Sequence, residues 1–124
     1  MKIMVDSFAW LAYFKKERGG EKVYALLKNK ESEVFTTAAN LYEIYYRLSE
    51  DVGKEKLLIA LSFIKTRAKI VAVDELIAEI AAEVRLHHGL KAIDAFTYAA
   101  AKQLNAKVVT GDRDFSKLDN VILI

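Results

Sequence analysis

Two kinds of hydrophobic pattern alternate along the chain. Short apolar runs, several of them rich in β-branched residues, predict five strands. Longer segments, with apolar residues at helical spacing or rich in aromatic residues or alanine, predict six helices. The predicted strands are Lys2–Val5, 34–36, 70–73, Lys107–Thr110 and 121–124. The predicted helices are 8–14, 21–28, 37–50, 54–66, 75–87 and Ala92–Leu104.

The residues between these segments are suited to starting and ending helices. Asp6 and Ser7 form a capping pair before the first helix, and Asp74 can cap the fifth helix. Gly53 separates the third and fourth helices, and Gly89 ends the fifth. The predicted boundaries therefore rest on the chemistry of the flanking residues as well as on periodicity.

Strands that alternate with helices favour right-handed crossovers and a parallel sheet. We therefore predict an α/β fold, in which a mainly parallel central sheet of about five strands is flanked by helices on both faces. The chain contains no internal repeat, low-complexity tract or proline-rich linker. We expect one domain that spans residues 1–124.

Composition narrows the class of protein. A chain of 124 residues with 53% hydrophobic residues can bury a core without disulfides, and it contains no cysteine. No signal peptide or membrane-spanning segment is expected, so we predict a cytoplasmic protein. A net charge of +2 is too small to indicate nucleic-acid binding by itself.

Two aspartates follow predicted strands directly. Asp6 comes after the run KIMV, and Asp112 comes after KVVTG. The carboxyl ends of parallel strands lie at one edge of a sheet, where ligands bind in open α/β folds. We therefore expect these two carboxylates to lie close together, although they are far apart in sequence.

Two further acids can join this edge. Asp94 lies near the start of the alanine-rich helix, where the helix dipole favours a carboxylate. Glu43 lies about two turns into the helix that follows the second strand, with Asn40 one turn before it and Arg47 one turn after it on the same face. The sequence thus predicts a site with four carboxylates.

Four carboxylates at close range cannot all stay ionised without a compensating cation. An all-oxygen site with few protein ligands favours Mg²⁺ or Mn²⁺, which keep bound waters and can bind substrate phosphate. Such an ion lowers the pKa of water and stabilises the charge of a leaving oxygen. Hydrolysis of phosphodiester bonds is the reaction that this chemistry favours.

Each of these residues has an ordinary structural explanation. Asp6 and Asp94, taken singly, are more often helix caps than metal ligands, and Glu43 with Arg47 can form a surface ion pair. The metal hypothesis depends on the four acids occurring together. A module that binds a metal, RNA or a partner's arginine without cutting RNA stays open as the alternative.

Other α/β classes fit less well. A phosphatase-like domain needs a second acid two residues after the first, where this chain has Phe8, and a receiver domain needs a phosphorylated aspartate with a supporting lysine. No glycine-rich dinucleotide or P-loop motif follows a predicted strand, which argues against nucleotide binding of those kinds.

The four acids and their surroundings resemble the PIN domain family, and within it the toxins of VapBC toxin–antitoxin pairs. The similarity covers nearly the whole chain and rests on four segments. They are VDSFAWLAYF with Asp6, TTAANLYEIYYRL with Glu43, KAIDAFTYAAAKQL with Asp94, and VVTGDRDF with Asp112. The last two motifs are the most specific.

The resemblance implies a magnesium- or manganese-dependent endoribonuclease, often dimeric, with an antitoxin whose tail covers the site and can insert a basic side chain among the acids. It also implies supporting roles for Asp114, Ser7 and Thr110, and Asp114 can either support the metal or cap the short helix that follows. Arg47 and Arg113 are candidates for binding substrate phosphate.

Overall fold

The computed structural model describes all 124 residues and contains the predicted alternation of strands and helices. The strands are β1 (Lys2–Val5), β2 (Glu33–Thr37), β3 (Lys69–Val71), β4 (Lys107–Thr110) and β5 (Val121–Leu123). The helices are α1 (Ser7–Phe14), α2 (Gly20–Lys28), α3 (Ala38–Val52), α4 (Lys54–Arg67), α5 (Glu75–His88) and α6 (Ala92–Leu104), with a short 3₁₀ helix at Arg113–Phe115.

All five strands are parallel, in the order β3-β2-β1-β4-β5. The chain builds the sheet outward from β1 in one direction and then returns to add β4 and β5 on the other side. The order therefore reverses between β1 and β4, and ligands bind at such switch points. The predicted α/β class is confirmed.

Helices cover both faces of the sheet because side chains alternate along its strands. On one face, Ile3 and Val5 of β1 pack with the buried residues of α1, α2, α3 and α4. On the other face, Met4 packs with α5 and α6. Tyr98 and four alanines of α6 belong to this second core, where the small side chains let the helix lie close to the strands.

The predicted ends of several elements differ from those in the structure by one or two residues. The third strand begins at Lys69 and ends at Val71, rather than covering 70–73. The third helix begins at Ala38, because Thr37 is its N-cap and forms a capping box with Asn40. The predicted caps at Asp6 and Asp74 accept hydrogen bonds from the backbone N–H groups of Ala9 and Ile77, both at 2.9 Å.

The surface carries an apolar groove between α1, α2, α3 and α4, with a volume of about 620 Å³. Its apolar lining includes Tyr13, Phe14, Tyr24, Ile59 and Phe63. Ile59 is 66% exposed and Tyr24 is 52% exposed, so the groove leaves large apolar side chains in contact with solvent. None of the helices has the length and apolar character needed to cross a membrane.

Candidate active site

Asp6 lies where β1 ends and α1 begins, and only 2% of its surface is exposed. Burial raises its pKa from the ordinary value of 3.8 to about 7. Hydrogen bonds with the Thr110 hydroxyl and the Ala9 N–H lower the pKa, and the nearby carboxylates of Asp94 and Asp112 raise it. Asp6 therefore occupies a position where a negative charge lacks compensation in the protein alone.

Three other aspartates form a tight group beside it. One carboxylate oxygen from each of Asp94, Asp112 and Asp114 lies within 4.8 Å of those of the other two. Asp94 is in the first turn of α6, and Asp112 follows β4 after Gly111. Burial, followed by the charges of Asp112, Glu43 and Asp114, raises the pKa of Asp94 to about 6. The group is therefore suited to a hard cation.

The structure distinguishes between the two roles expected for Asp114. We expected it either to support the metal site or to cap the helix that follows, with less importance than Asp112. The cap is Asp112, whose carboxylate accepts the Asp114 N–H at 2.9 Å. The Asp114 carboxylate instead lies with those of Asp94 and Asp112.

Glu43 and Arg47 reach the same pocket from α3. The Glu43 Oε2 atom lies 3.8 Å from the Arg47 Nη1 atom, and the side chains are 22% and 49% exposed. Their ion pair is thus partly screened by water and holds the two side chains only weakly. Both groups can turn toward a ligand in the pocket.

Asn40 shares a face of α3 with Glu43 and Arg47, as predicted, but it is 1% exposed and does not line the pocket. Its Nδ2 group donates to the Ser7 hydroxyl at 2.9 Å, and its Oδ1 atom accepts the Thr37 N–H at 3.1 Å. The Thr97 hydroxyl of α6 also donates to Oδ1, at 3.3 Å. Asn40 therefore ties three elements together beneath the site.

Ser7 and Thr110, the two hydroxyl residues predicted to support the site, are both buried. Ser7 lines the pocket and is 4% exposed. The Thr110 hydroxyl accepts the Asp112 N–H at 2.9 Å, and its interaction with the Asp6 carboxylate lowers the pKa of Asp6. Thr110 thus connects the two acids that end neighbouring strands.

The rim of the pocket differs from the prediction in its basic and apolar residues. Arg113 is exposed and does not line the pocket, whereas Lys91 does and lowers the pKa of Asp94. Phe8 also lines the pocket, although 47% of its surface is exposed. Lys91 precedes Asp94 by less than one helical turn, a spacing that could have indicated its proximity.

Together these residues enclose a pocket of about 340 Å³ at the carboxyl ends of β1 and β4. It brings Asp6, Glu43, Asp94 and Asp112 into one lining. The donor set consists of carboxylate oxygens, and the pKa values of Asp6 and Asp94 are raised first by burial and then by the charges of neighbouring carboxylates. A hard divalent cation fits both features.

Comparisons with known proteins agree with this architecture. Residues 3–121 match the family model described as the PIN domain. No curated protein sequence matches the chain. Among solved structures, VapC20 of Mycobacterium tuberculosis, a Sarcin-Ricin loop cleaving toxin, is 22% identical with a TM-score of 0.80, and the alignment covers 96% of both chains.

Two other structures have similar folds. A toxin–antitoxin complex from Klebsiella pneumoniae is 19% identical with a TM-score of 0.79, over 97% of this chain and 95% of that one. VapBC2 of Rickettsia felis, bound to a DNA fragment from its promoter, is 21% identical with a TM-score of 0.76, over 100% and 98%. The resemblance inferred from the four acidic motifs is confirmed, and the chain belongs to the PIN domain family.

Proposed function

We propose that the chain is a metal-dependent endoribonuclease and the toxin of a toxin–antitoxin pair. The observation that carries this proposal is the group of carboxylates at the switch point of the sheet. One carboxylate oxygen from each of Asp94, Asp112 and Asp114 lies within 4.8 Å of the other two, and Asp94 and Asp112 line the same pocket as Asp6 and Glu43. The VapC20 structure, which is named as a cleaving toxin, supports the proposed activity.

Asp6, Asp94 and Asp112 would hold Mg²⁺ or Mn²⁺, with Glu43 as a further ligand or as the group that orients water. The geometry adds Asp114 as a fifth candidate. When bound, such an ion supplies a water of lowered pKa and stabilises charge on phosphate oxygens. Its positive charge would also return the buried Asp6 to its ionised form.

The remaining polar groups of the pocket would act on the substrate. The Glu43 carboxylate, which is partly open to solvent, would accept a proton from the attacking water. Arg47 of α3 and Lys91, the N-cap of α6, both line the pocket and would bind the non-bridging oxygens of the phosphate. Arg113 is exposed and lies outside the pocket lining, and its contact with substrate phosphate stays a prediction.

Removal of the metal is expected to stop cleavage. Purified protein treated with EDTA should leave labelled single-stranded and hairpin RNAs intact, because the carboxylates alone cannot stabilise the leaving oxygen. Added Mg²⁺ or Mn²⁺ should restore cutting, measured by gel analysis of the products. Undiminished cleavage in excess EDTA would contradict the proposed mechanism. Tight binding of RNA without cutting in any of these metals would favour the non-cleaving module instead.

The apolar groove provides a surface for the proposed antitoxin. Its lining is mainly aromatic and aliphatic, and its edge carries both signs of charge, in Lys16, Glu17, Glu21 and Lys56. A protein segment with an apolar face and flanking charges would fill it, and the fold is shared with toxin–antitoxin complexes. We propose that the antitoxin occupies this groove.

A charge in the groove is expected to prevent inhibition by the antitoxin without affecting cleavage. Ile59→Glu places a carboxylate in the apolar lining, where burial under a partner is costly. We expect at least a tenfold rise in the concentration of purified antitoxin that halves RNA cleavage. The matched control is Leu86→Glu, at a residue of α5 that is 79% exposed and outside the groove. Equal inhibition of both variants would place the antitoxin elsewhere.

The expected homodimer stays a prediction. Light scattering of the purified chain, at several concentrations, would give its mass in solution. A mass of about twice 14.0 kDa would support the dimer, and a constant mass near 14.0 kDa would contradict it.

A further inference from the structure

Phe8 is an apolar side chain at the edge of an acidic pocket. It lies in the first turn of α1, two residues after Asp6, and 47% of its surface is exposed. The pocket lining beside it includes Glu43, Asp94 and Asp112. Nearly half of this residue thus stays open to solvent, so hydrophobic burial within the protein accounts for only part of its position.

The Phe8 ring rests directly on the backbone of Gly111, the residue before Asp112. A methyl group placed at Gly111 would lie 2.3 Å from Cε1 of the ring and 2.6 Å from Cδ1. The backbone of Gly111 does not have a positive φ, so the requirement here is for space and not for conformation. The absence of a side chain at Gly111 therefore lets the ring lie against the backbone just beyond the end of β4.

We propose that Phe8 is a stacking platform for a nucleobase of single-stranded RNA beside the bond that is cut. This inference rests on the proposed ribonuclease activity. An exposed ring next to a phosphate-binding pocket can hold a base while the adjoining phosphate enters the pocket. Stacking depends on the π-face that all bases share, so the platform sets the position of the strand and contributes little to sequence preference.

Binding measurements separate stacking from chemistry. In an Asp94→Asn background, which is expected to bind RNA without cutting it, Phe8→Ala should weaken the affinity for a labelled single-stranded RNA about 5- to 100-fold. Phe8→Trp should keep the affinity within about twofold, because the larger ring also stacks. The control is Tyr24→Ala, at a tyrosine that is 52% exposed in the apolar groove and outside the acidic pocket. Fluorescence anisotropy gives all four dissociation constants.

An abasic substrate tests the base directly. RNAs that lack one base, moved stepwise along the strand, should lose affinity at one position near the cut bond. At that position Phe8→Ala should bind the intact and the abasic RNA equally, because neither complex contains the stacked pair. A purely structural role of Phe8 would leave the loss caused by the missing base unchanged.

Gly111→Ala provides a second, independent variant. The added methyl group should move the Phe8 ring, which can turn about its side-chain bonds, and weaken RNA binding about as much as Phe8→Ala. Combined with Phe8→Ala, it should have no further effect. If Gly111→Ala weakens binding equally in both backgrounds, its effect does not depend on the Phe8 ring, and the predicted displacement of the ring is wrong.

The outcomes distinguish this proposal from the proposed function. If the wild-type protein neither binds nor cuts RNA, the ribonuclease assignment is wrong and the platform is excluded with it. If the wild type cuts RNA and Phe8→Ala binds RNA with unchanged affinity, only the platform is overturned. Unchanged RNA binding with weakened inhibition by the antitoxin would assign Phe8 to the protein partner instead.

Discussion

Asp94→Asn is expected to lower the rate of RNA cleavage at least about 1000-fold while leaving the fold intact. Its carboxylate lies within 4.8 Å of those of Asp112 and Asp114, and all three charges contribute to holding one cation. Asparagine has nearly the same size and keeps an oxygen at the site, but it lacks the negative charge. The start of α6 should persist, because the loss of a favourable dipole interaction is offset by weaker repulsion among the acids.

Cleavage of labelled RNA by equal amounts of wild type and variant, in Mg²⁺ or Mn²⁺, measures the effect. Glu79→Gln is the matched control, because it removes one exposed carboxylate from α5, away from the pocket. Circular dichroism checks that both variants are folded. Cleavage by Asp94→Asn at near wild-type rate would mean that the proposed site does not perform the reaction, or that a contaminating nuclease does.

The same assay decides the importance of Asp114. The sequence placed it below Asp112, whereas its carboxylate lies in the same group of three. If Asp114 is a ligand, Asp114→Asn should raise the concentration of Mn²⁺ needed for half-maximal cleavage. An unchanged requirement for Mn²⁺ would leave Asp114 as a supporting residue.

Without metal, the protein is expected to lose stability as pH rises from 4 to 8, and Asp6→Asn should remove most of that loss. The pKa of Asp6 is about 7 in the folded chain and near 3.8 when unfolded. Below the lower value both states are protonated, so Asp6 costs nothing. As pH rises, the unfolded chain ionises first, and the stability falls until the folded pKa is passed.

The size of this effect follows from the difference in pKa. A difference of about three units corresponds to roughly 4 kcal/mol of unfolding free energy, reached above pH 7. Asp94 contributes in the same direction, over the range from 3.8 to about 6. At pH 8 in EDTA, Asp6→Asn should therefore be more stable than the wild type by a few kcal/mol, although it loses activity.

Urea denaturation at pH 5 and pH 8, with EDTA present, measures these free energies. Asp74→Asn is a close control, because Asp74 also caps a helix through its carboxylate but is exposed. Asparagine is as good an N-cap as aspartate, so neither substitution removes a cap. If the wild type and Asp6→Asn are equally stable at pH 8, ionising the buried Asp6 carboxylate costs less free energy than its burial indicates.

Mg²⁺ or Mn²⁺ should reverse the loss at pH 8 in the wild type and have much less effect on Asp6→Asn. A cation that binds only the folded state stabilises it, and its charge favours the ionised form of Asp6. The acidic site would thus lower the free energy of unfolding of the metal-free protein and raise it when metal binds. This coupling links the stability of the fold to its proposed chemistry.

Local patterns were sufficient to predict the elements and the position of three acids. Apolar runs ended at Asp6 and near Asp112, and the carboxyl ends of parallel strands must share an edge. The start of the alanine-rich helix placed Asp94 at the same edge. These features depend on strand periodicity, helix capping and the handedness of crossovers, all of which act over short stretches of chain.

The tertiary structure decided which side chains enter the pocket and which lie beneath it. Asn40 and Glu43 share a helix face, yet Asn40 is covered by α1 and α6 while Glu43 lines the pocket. The 3₁₀ helix after β4 directs Asp114 toward Asp94 and leaves Arg113 outside.

Phe8 and Lys91 lie close in sequence to Asp6 and Asp94, but the rim that they share forms only where elements distant in sequence meet. Sequence alone therefore determined the fold class and the edge at which the acids gather. The rotation of each helix, the depth of each side chain and the raised pKa values depend on packing between distant elements, which no local pattern contains.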